Sequence, residues 1–399
     1  MTDNNQSIYR WYILFLAAMG NSLIGLLSMC MPVLFKEISE DLGLSLVQIG
    51  TVWSMFNLAA IFTTLPGGSL VDRFGVKHTI GIACILAGLA GALRGISGGF
   101  FSLAATMFLV GFLSAAIIPC IHNAAAIWFP RHQLGRANGA IMMGMGIGQT
   151  MGAMFSATVL SPLLGGWRGV MFLYGGIAVV LGILWLTSRS PTLQYESSGG
   201  SPAAVPLRQS LAKVARIKNL WFVGLSGAGM LGCYTGSIGY MALYLEGIGW
   251  SVDSASGVVA VTGVIAIIAT IPISALSDRL GTRKKIMVVA AMFFTIAFGL
   301  FPLLSGPAIW IAVIIGAIPG TAYMALMVTV ATETKEVGAH IGTAMGLVLT
   351  ILRLGGIIAP PLGNSLASIS PGAPFFLWAA MAAFSVICLY SVKDTGRHE

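Results

Sequence analysis

Twelve runs of mostly apolar residues follow one another along this chain, each close to the ~20 residues that a helix needs to cross the hydrocarbon core of a bilayer. They lie at about 12–35, 47–66, 78–97, 102–128, 137–160, 169–187, 219–242, 254–275, 286–304, 307–331, 341–366 and 374–391. Inside lipid every backbone N–H and C=O must bond within the protein, so only helices and closed barrels can span. Barrel strands alternate over about ten residues; continuous runs of this length specify helices. The expected fold is therefore an all-α membrane protein of twelve transmembrane helices. Charged residues make up only 9% of the 399 residues, against roughly 25% in soluble domains, and mean hydropathy is +0.90. The 51 glycines suit helices that approach closely in lipid, where small residues allow backbone contact.

The polar intervals repeat. Gly68-Ser69-Leu70-Val71-Asp72-Arg73-Phe74-Gly75-Val76-Lys77-His78 returns, altered, as Ser274-Ala275-Leu276-Ser277-Asp278-Arg279-Leu280-Gly281-Thr282-Arg283-Lys284, with the two aspartates 206 residues apart. Each copy is a charged turn between two spans, reversing at Gly75 or Gly281. Arg73 and Lys77, and Arg279, Arg283 and Lys284, make both loops basic, and short basic loops stay in the cytoplasm. A second pair, Gly135-Arg136-Ala137-Asn138-Gly139 and Gly338-Ala339-His340-Ile341-Gly342, recurs at an offset of 203. The chain thus reads as an N-terminal six-helix bundle (1–187), a polar linker (188–218) and a C-terminal six-helix bundle (219–399). Within the linker Leu207, Leu211, Val214 and Ile217 recur at helical spacing and predict an amphipathic surface helix. Of the 21 Lys and Arg, 17 fall in loops on one side, so the net charge of +8 reports topology, with both termini cytoplasmic and no nucleic-acid partner. The first span has no small-residue cleavage site after it and reads as an uncleaved anchor.

The paired G-x-x-x-D-R-x-G-x-K-H loop and the twelve spans resemble the major facilitator superfamily of secondary transporters, over nearly the whole chain. The resemblance implies two parallel repeats of six helices with substrate near the midplane between them, and alternating access by rocking of the halves in a cell membrane, here of the bacterial inner-membrane type. It also implies gating by Asp72, Arg73, Gly75 and Lys77 with Asp278, Arg279, Gly281 and Arg283, and a monomer. Two departures stand out. Where many members carry an arginine early in the fourth span this chain has Met107, and the fifth span, Gly144 to Gly152, lacks the Gly-Pro of drug antiporters. Both favour uptake or exchange over drug/proton antiport.

Nothing in the sequence makes an enzyme: there is no Gly-Lys-Ser/Thr nucleotide loop, no metal-ligand spacing, no nucleophile constellation and no cofactor motif. Cys30, Cys84, Cys120, Cys233 and Cys388 all fall in apolar runs and read as small core residues.

The residue that points to a cargo is Arg353. It lies twelve residues into the eleventh span, about 18 Å deep at 1.5 Å per residue. Such a placement costs about 3 kcal/mol on insertion scales and marks either a substrate path or a staple to backbone carbonyls. All 13 acidic residues fall in loops, tails or span ends, so no mid-membrane carboxylate is on hand to neutralise it. The simplest counter-charge is the cargo itself, a small organic anion, and one guanidinium suits one carboxylate. Oxalate/formate-type carriers of the superfamily also use a basic residue in the eighth span; this chain has none there. The expected function is a carrier of a monocarboxylate, by proton symport or anion exchange. The rivals are export of hydrophobic drugs, suggested by 20 Met and 20 Phe, and a non-transporting receptor on the same fold.

In the superfamily the first, fourth, seventh and tenth spans line the cavity, which makes Asn21, Ser28, Asn123, Ser237, Tyr240, Thr321 and Tyr323 candidate contacts. Gln149 and Thr150 join them, since Thr150 is the repeat partner of Arg353. His122, inside the fourth span, either carries a coupling proton or is a neutral histidine bonded across helices. Arg94 and Arg168, at span ends, either draw an anion inward or snorkel to headgroups.

Overall fold

The computed structural model describes residues 3–64, 75–130, 133–188, 207–280 and 283–392. Asp72, Arg73 and Gly281 lie outside the described residues, as do most of the linker and the C-terminal tail. Twelve long helices follow the twelve apolar runs. They are α1 (Asp3–Leu42), α2 (Leu46–Thr64), α3 (Val76–Arg94), α4 (Phe100–Trp128), α5 (Leu134–Phe155) and α6 (Trp167–Thr187), then α7 (Lys218–Gly247), α8 (Val252–Leu280), α9 (Arg283–Leu300), α10 (Ala308–Glu333), α11 (Ile341–Ser365) and α12 (Ala373–Ser391). The predicted linker helix forms over Leu207–Val214, with Val214 buried, and His340, just before α11, holds it through Ser210 Oγ at 3.1 Å. Among the described residues nine helices are long and apolar enough to span by composition alone. Of the others, α5 and α7 carry glycine and polar residues where they pack against neighbouring helices.

Local sequence sets the turns. Ser45 and Gln48 form a capping box at the start of α2: Ser45 N–H donates to Gln48 Oε1 at 2.9 Å and Gln48 N–H to Ser45 Oγ at 3.3 Å. Gly75 opens α3 at φ 74°, a conformation that side chains with a Cβ resist. A π-helical turn, Ser156–Leu160, extends α5, and Ser156 Oγ meets Tyr174 Oη of α6 at 2.9 Å.

The repeat seen in the sequence recurs in the packing. In the first half α1 crosses α5 where a Cβ on Gly148 would overlap the carbonyl oxygen of Ser22; in the second α7 crosses α11 where a Cβ on Gly355 would overlap that of Ala228. The two crossings are 206 to 207 residues apart on both partners, the offset of the loop repeat. Close approach through glycine is the means by which membrane helices gain contact where no hydrophobic sorting separates them from lipid.

The ends carrying the two turns at Gly43 and Gly249 lie opposite the N-terminus. There the acidic tail of α1 is clamped to α6. Glu37 accepts from Ser161 Oγ at 2.6 Å and Trp167 N–H at 2.7 Å, and Asp41 pairs with Arg168 at 2.9 Å. A carboxylate at the first N–H of α6 also meets the positive end of that helix. Arg168 is thus held in the clamp, donating also to the carbonyls of Gly95 and Ser97. Arg94 departs from the snorkelling expectation more sharply. Its side chain is fully buried, and Nη1 donates to Leu27 O of α1 at 3.0 Å. It braces α3 to α1 instead of reaching headgroups.

Between the halves, among the described residues, side-chain bonds run from this end to mid-membrane. Lys36 meets Glu246 at 3.3 Å, Asn364 Nδ2 donates to Leu46 O at 2.8 Å, and Trp53 Nε1 donates to Thr235 O at 2.8 Å. Ser54 Oγ donates to Ile357 O at 2.8 Å. That last bond has a sequence cause: Pro361 has no N–H, so the carbonyl four residues earlier loses its helical partner, and a hydroxyl from the other half replaces it. The halves also meet where Gly146 of α5 packs on Ile267 and Gly263 of α8.

Candidate substrate site

Arg353 sits on α11 about halfway across, where the halves meet. Its Nη1 donates to Asn57 Oδ1 of α2 at 2.9 Å. Asn57 is 5% exposed and stands eleven residues into α2, roughly 16 Å from its start. Among the described residues no carboxylate pairs with Arg353; the ion pairs are Lys36–Glu246, Arg168–Asp41 and Arg283–Glu333. The guanidinium therefore has a neutral partner and an uncompensated charge, so the absence of a mid-membrane acid that the sequence suggested has its counterpart in the geometry.

Arg353 also forms part of the wall of a cavity of about 420 Å³ within the second half, built by α7, α8, α9, α10 and α11. That volume lies in the range of small-molecule sites. Tyr234, Thr262, Met324, Met327, Phe294 and Phe298 contribute to the wall. Among the described residues Arg353 is its one charged member. Thr262 Oγ1 donates to Val259 O of its own helix at 2.7 Å, which commits its hydrogen to the backbone.

The other residues singled out from the sequence are placed as follows. Asn21 donates from Nδ2 to Ile141 O at 2.9 Å and joins α1 to α5. Ser28 bonds Gly25 O of its own helix at 2.9 Å. Gln149 packs over Gly25, and Thr150 lies against Gly263 of α8 while bonding Gly146 O; neither is in the cavity wall. Asn123 is exposed on α4. Ser237 is buried, and Tyr240 sits among Tyr244, Phe375 and Trp378, with ring centroids 6.0 to 6.3 Å away. Tyr323 is fully buried. The side chain of Thr321 lies outside the described residues, as do those of Asp278 and Arg279 at the end of α8. His122 Nδ1 shares a 2.9 Å hydrogen bond with Asn138 Oδ1, tying α4 to α5. Lys77 is half-buried in the first turn of α3. Arg283 pairs with Glu333 at 2.6 Å, joining α9 to α10 within the second half.

Sequence reasoning missed Asn57. The sequence held half of the signal: a primary amide deep in an apolar span must find partners, but nothing in it places Asn57 beside Arg353. The Lys36–Glu246 pair was missed because nothing in the sequence places the end of α1 beside the end of α7.

The family model described as Major Facilitator Superfamily matches residues 11–357 and 266–399. Over 190 residues, 44% of this chain, the sequence is 30% identical to the probable galactarate/D-glucarate transporter GudP of Bacillus subtilis, covering 40% of that protein. Over 161 residues, 39% of this chain, it is 27% identical to the D-galactonate transporter of Escherichia coli O6:H1, covering 36% of that protein. The matches thus span well under two thirds of these relatives. In fold the chain is similar to the crystal structure of a bacterial homolog of the human lysosomal transporter Spinster, in its inward-facing and unoccupied conformation. The TM-score is 0.77 at 19% identity, over 96% of this chain and 95% of that one.

Proposed function

The chain belongs to the Major Facilitator Superfamily, and from that premise we propose that it is a secondary transporter of a small organic anion, with Arg353 as the anion's anchor. The observation that carries this reading is the mid-membrane guanidinium on a cavity wall whose bonded partner, Asn57, is a neutral amide. A buried cation without a counter-charge is costly, and an entering carboxylate relieves that cost while its own is relieved in return. Relatives named for galactarate, D-glucarate and D-galactonate are consistent with an anionic cargo. A single lining cation favours a monocarboxylate.

Transport proceeds by alternating access between bodies 1–187 and 219–399. The cross-half bonds from Lys36–Glu246 to Arg353–Asn57 correspond to a state closed at the end away from the N-terminus. With both termini cytoplasmic, as the basic loops suggest, that state is inward-facing. Breaking those bonds and closing the Asp72 and Asp278 loops would open the other side. His122 remains the candidate for a coupling proton, with Asn138 as its partner, and anion exchange is the alternative source of drive.

The test is counterflow in proteoliposomes loaded with a monocarboxylate. Wild-type protein accumulates labelled anion, Arg353→Gln loses it, and Arg353→Lys, which keeps charge without the planar fork, retains part. Full accumulation by Arg353→Gln would remove the anchor.

A further inference from the structure

Among the described residues the wall that Arg353 shares is apolar almost throughout, and this constrains the rest of the cargo. The inference rests on Arg353 as the anion site and specifies what the anion carries. Met230, Met324 and Met327 come from α7 and α10, and Phe294 and Phe298 from α9. Leucine, isoleucine, valine, alanine and glycine fill most of the remainder. Against them stand the free donors of Arg353 and the phenol of Tyr234, since Thr262 is committed to its own backbone.

A six-carbon sugar acid brings four or more hydroxyls, each able to donate and accept. Burying one without a partner loses the hydrogen bonds that water gave it, and this wall has few partners to offer. An aromatic body meets no such cost. Methionine sulfur and phenyl rings both pack favourably on aromatic faces, and each buried carbon that leaves water improves affinity about fourfold by the usual transfer value. The volume of about 420 Å³ leaves room for a ring and a short side arm beside the guanidinium. We propose that the cargo is an aromatic monocarboxylate, with its carboxylate on Arg353 and its ring between the methionines and Phe294 and Phe298. This separates the chain from relatives named for polyhydroxylated acids.

The experiment is equilibrium binding by calorimetry to purified full-length protein, with phenylacetate, phenylacetamide, acetate, D-galactonate and D-glucarate as probes. Arg353→Gln and Met324→Gln are measured beside the wild type. Phenylacetate is expected to bind at least about 100-fold more tightly than acetate and D-galactonate, because the ring supplies six carbons at about fourfold each, discounted for partial burial. Arg353→Gln should erase its advantage over the uncharged phenylacetamide. Met324→Gln, which puts an amide into the wall at similar volume, should weaken phenylacetate about tenfold and acetate much less. If D-galactonate or D-glucarate binds more tightly than phenylacetate and depends on Arg353, the aromatic cargo is overturned while the anion site stands. If phenylacetamide binds as tightly as phenylacetate, or Arg353→Gln leaves every anion unchanged, the anion site itself falls. Binding of none of the five overturns both.

Discussion

Asn57→Leu offers the most direct view of how the site and the moving halves are linked, because one hydrogen bond belongs to both. The bond from Arg353 Nη1 to Asn57 Oδ1 is 2.9 Å long and crosses from α11 to α2. A hydrogen bond to a charged group contributes about 1.5–3 kcal/mol net. Leucine is close to asparagine in size and accepts nothing, so its introduction should weaken the closed state by that amount relative to one in which the halves have parted. At 1.4 kcal/mol per decade the open-to-closed ratio rises about 10- to 150-fold. The bonds Trp53–Thr235, Ser54–Ile357 and Asn364–Leu46 persist, so closure is weakened and not abolished. The assay is a distance distribution between nitroxides on cysteines introduced at Leu42 and Val252, which flank the turns at the closed end. Asn57→Asp supplies the opposite perturbation. A carboxylate at the same distance attracts the guanidinium by about 6 kcal/mol at an effective dielectric near 20, before desolvation. It should shift the distribution toward short distances and displace the anion from Arg353. Opposite shifts from the two variants are the signature. If Asn57→Leu leaves the distribution unchanged, the bond does not hold the halves and the argument fails.

Two further outcomes are expected. Glu246, 5% exposed beyond the apolar stretch of α7, has a carboxyl pushed above its ordinary range. Burial is the main cause, Lys36 pulls it back in part, and Glu40 adds to the rise. A group whose value is raised in the closed state favours closure below the ordinary carboxylate value of about 4.3 and loses that contribution as pH rises through the raised value. The Leu42–Val252 distance should therefore lengthen as pH rises above the ordinary carboxylate value and through the raised one, and Glu246→Gln should flatten the profile; an unchanged profile in that variant would assign the pH response elsewhere. Gly355→Ala places a Cβ into the carbonyl of Ala228 and should cost about 1–3 kcal/mol, the usual range for overpacking. Gly139→Ala, with open space around it, should be neutral or slightly stabilising. Unfolding followed by the exposure of the five buried thiols reports both.

Much of the fold was legible because the bilayer removes options. Once twelve apolar runs had to be helices, the repeat of Asp72 at Asp278 suggested two equivalent halves, and the crossings at Gly148 and Gly355 recur at that offset. The helices hardest to read by composition, α5 and α7, are those whose glycines contact other helices. A hydropathy window counts what a residue would feel in lipid, and these residues feel a neighbouring backbone instead.

The site was less legible, for a related reason. A cation deep in a span is visible in one dimension, so Arg353 could be named. Its partner could not, because Asn57 is 296 residues away in sequence and on the other half. Asn21 and Tyr240, chosen by analogy with cavity-lining spans, and Thr150, chosen as the repeat partner of Arg353, make helix-to-helix contacts. A hydroxyl or amide in lipid can be satisfied by any nearby carbonyl, and most are. A guanidinium keeps its charge after its hydrogen bonds are filled. On the proposed reading, Arg353 would still call for an anion when Asn57 has accepted from it, and the need of that charge, more than its position, would tie closure of the halves to the cargo.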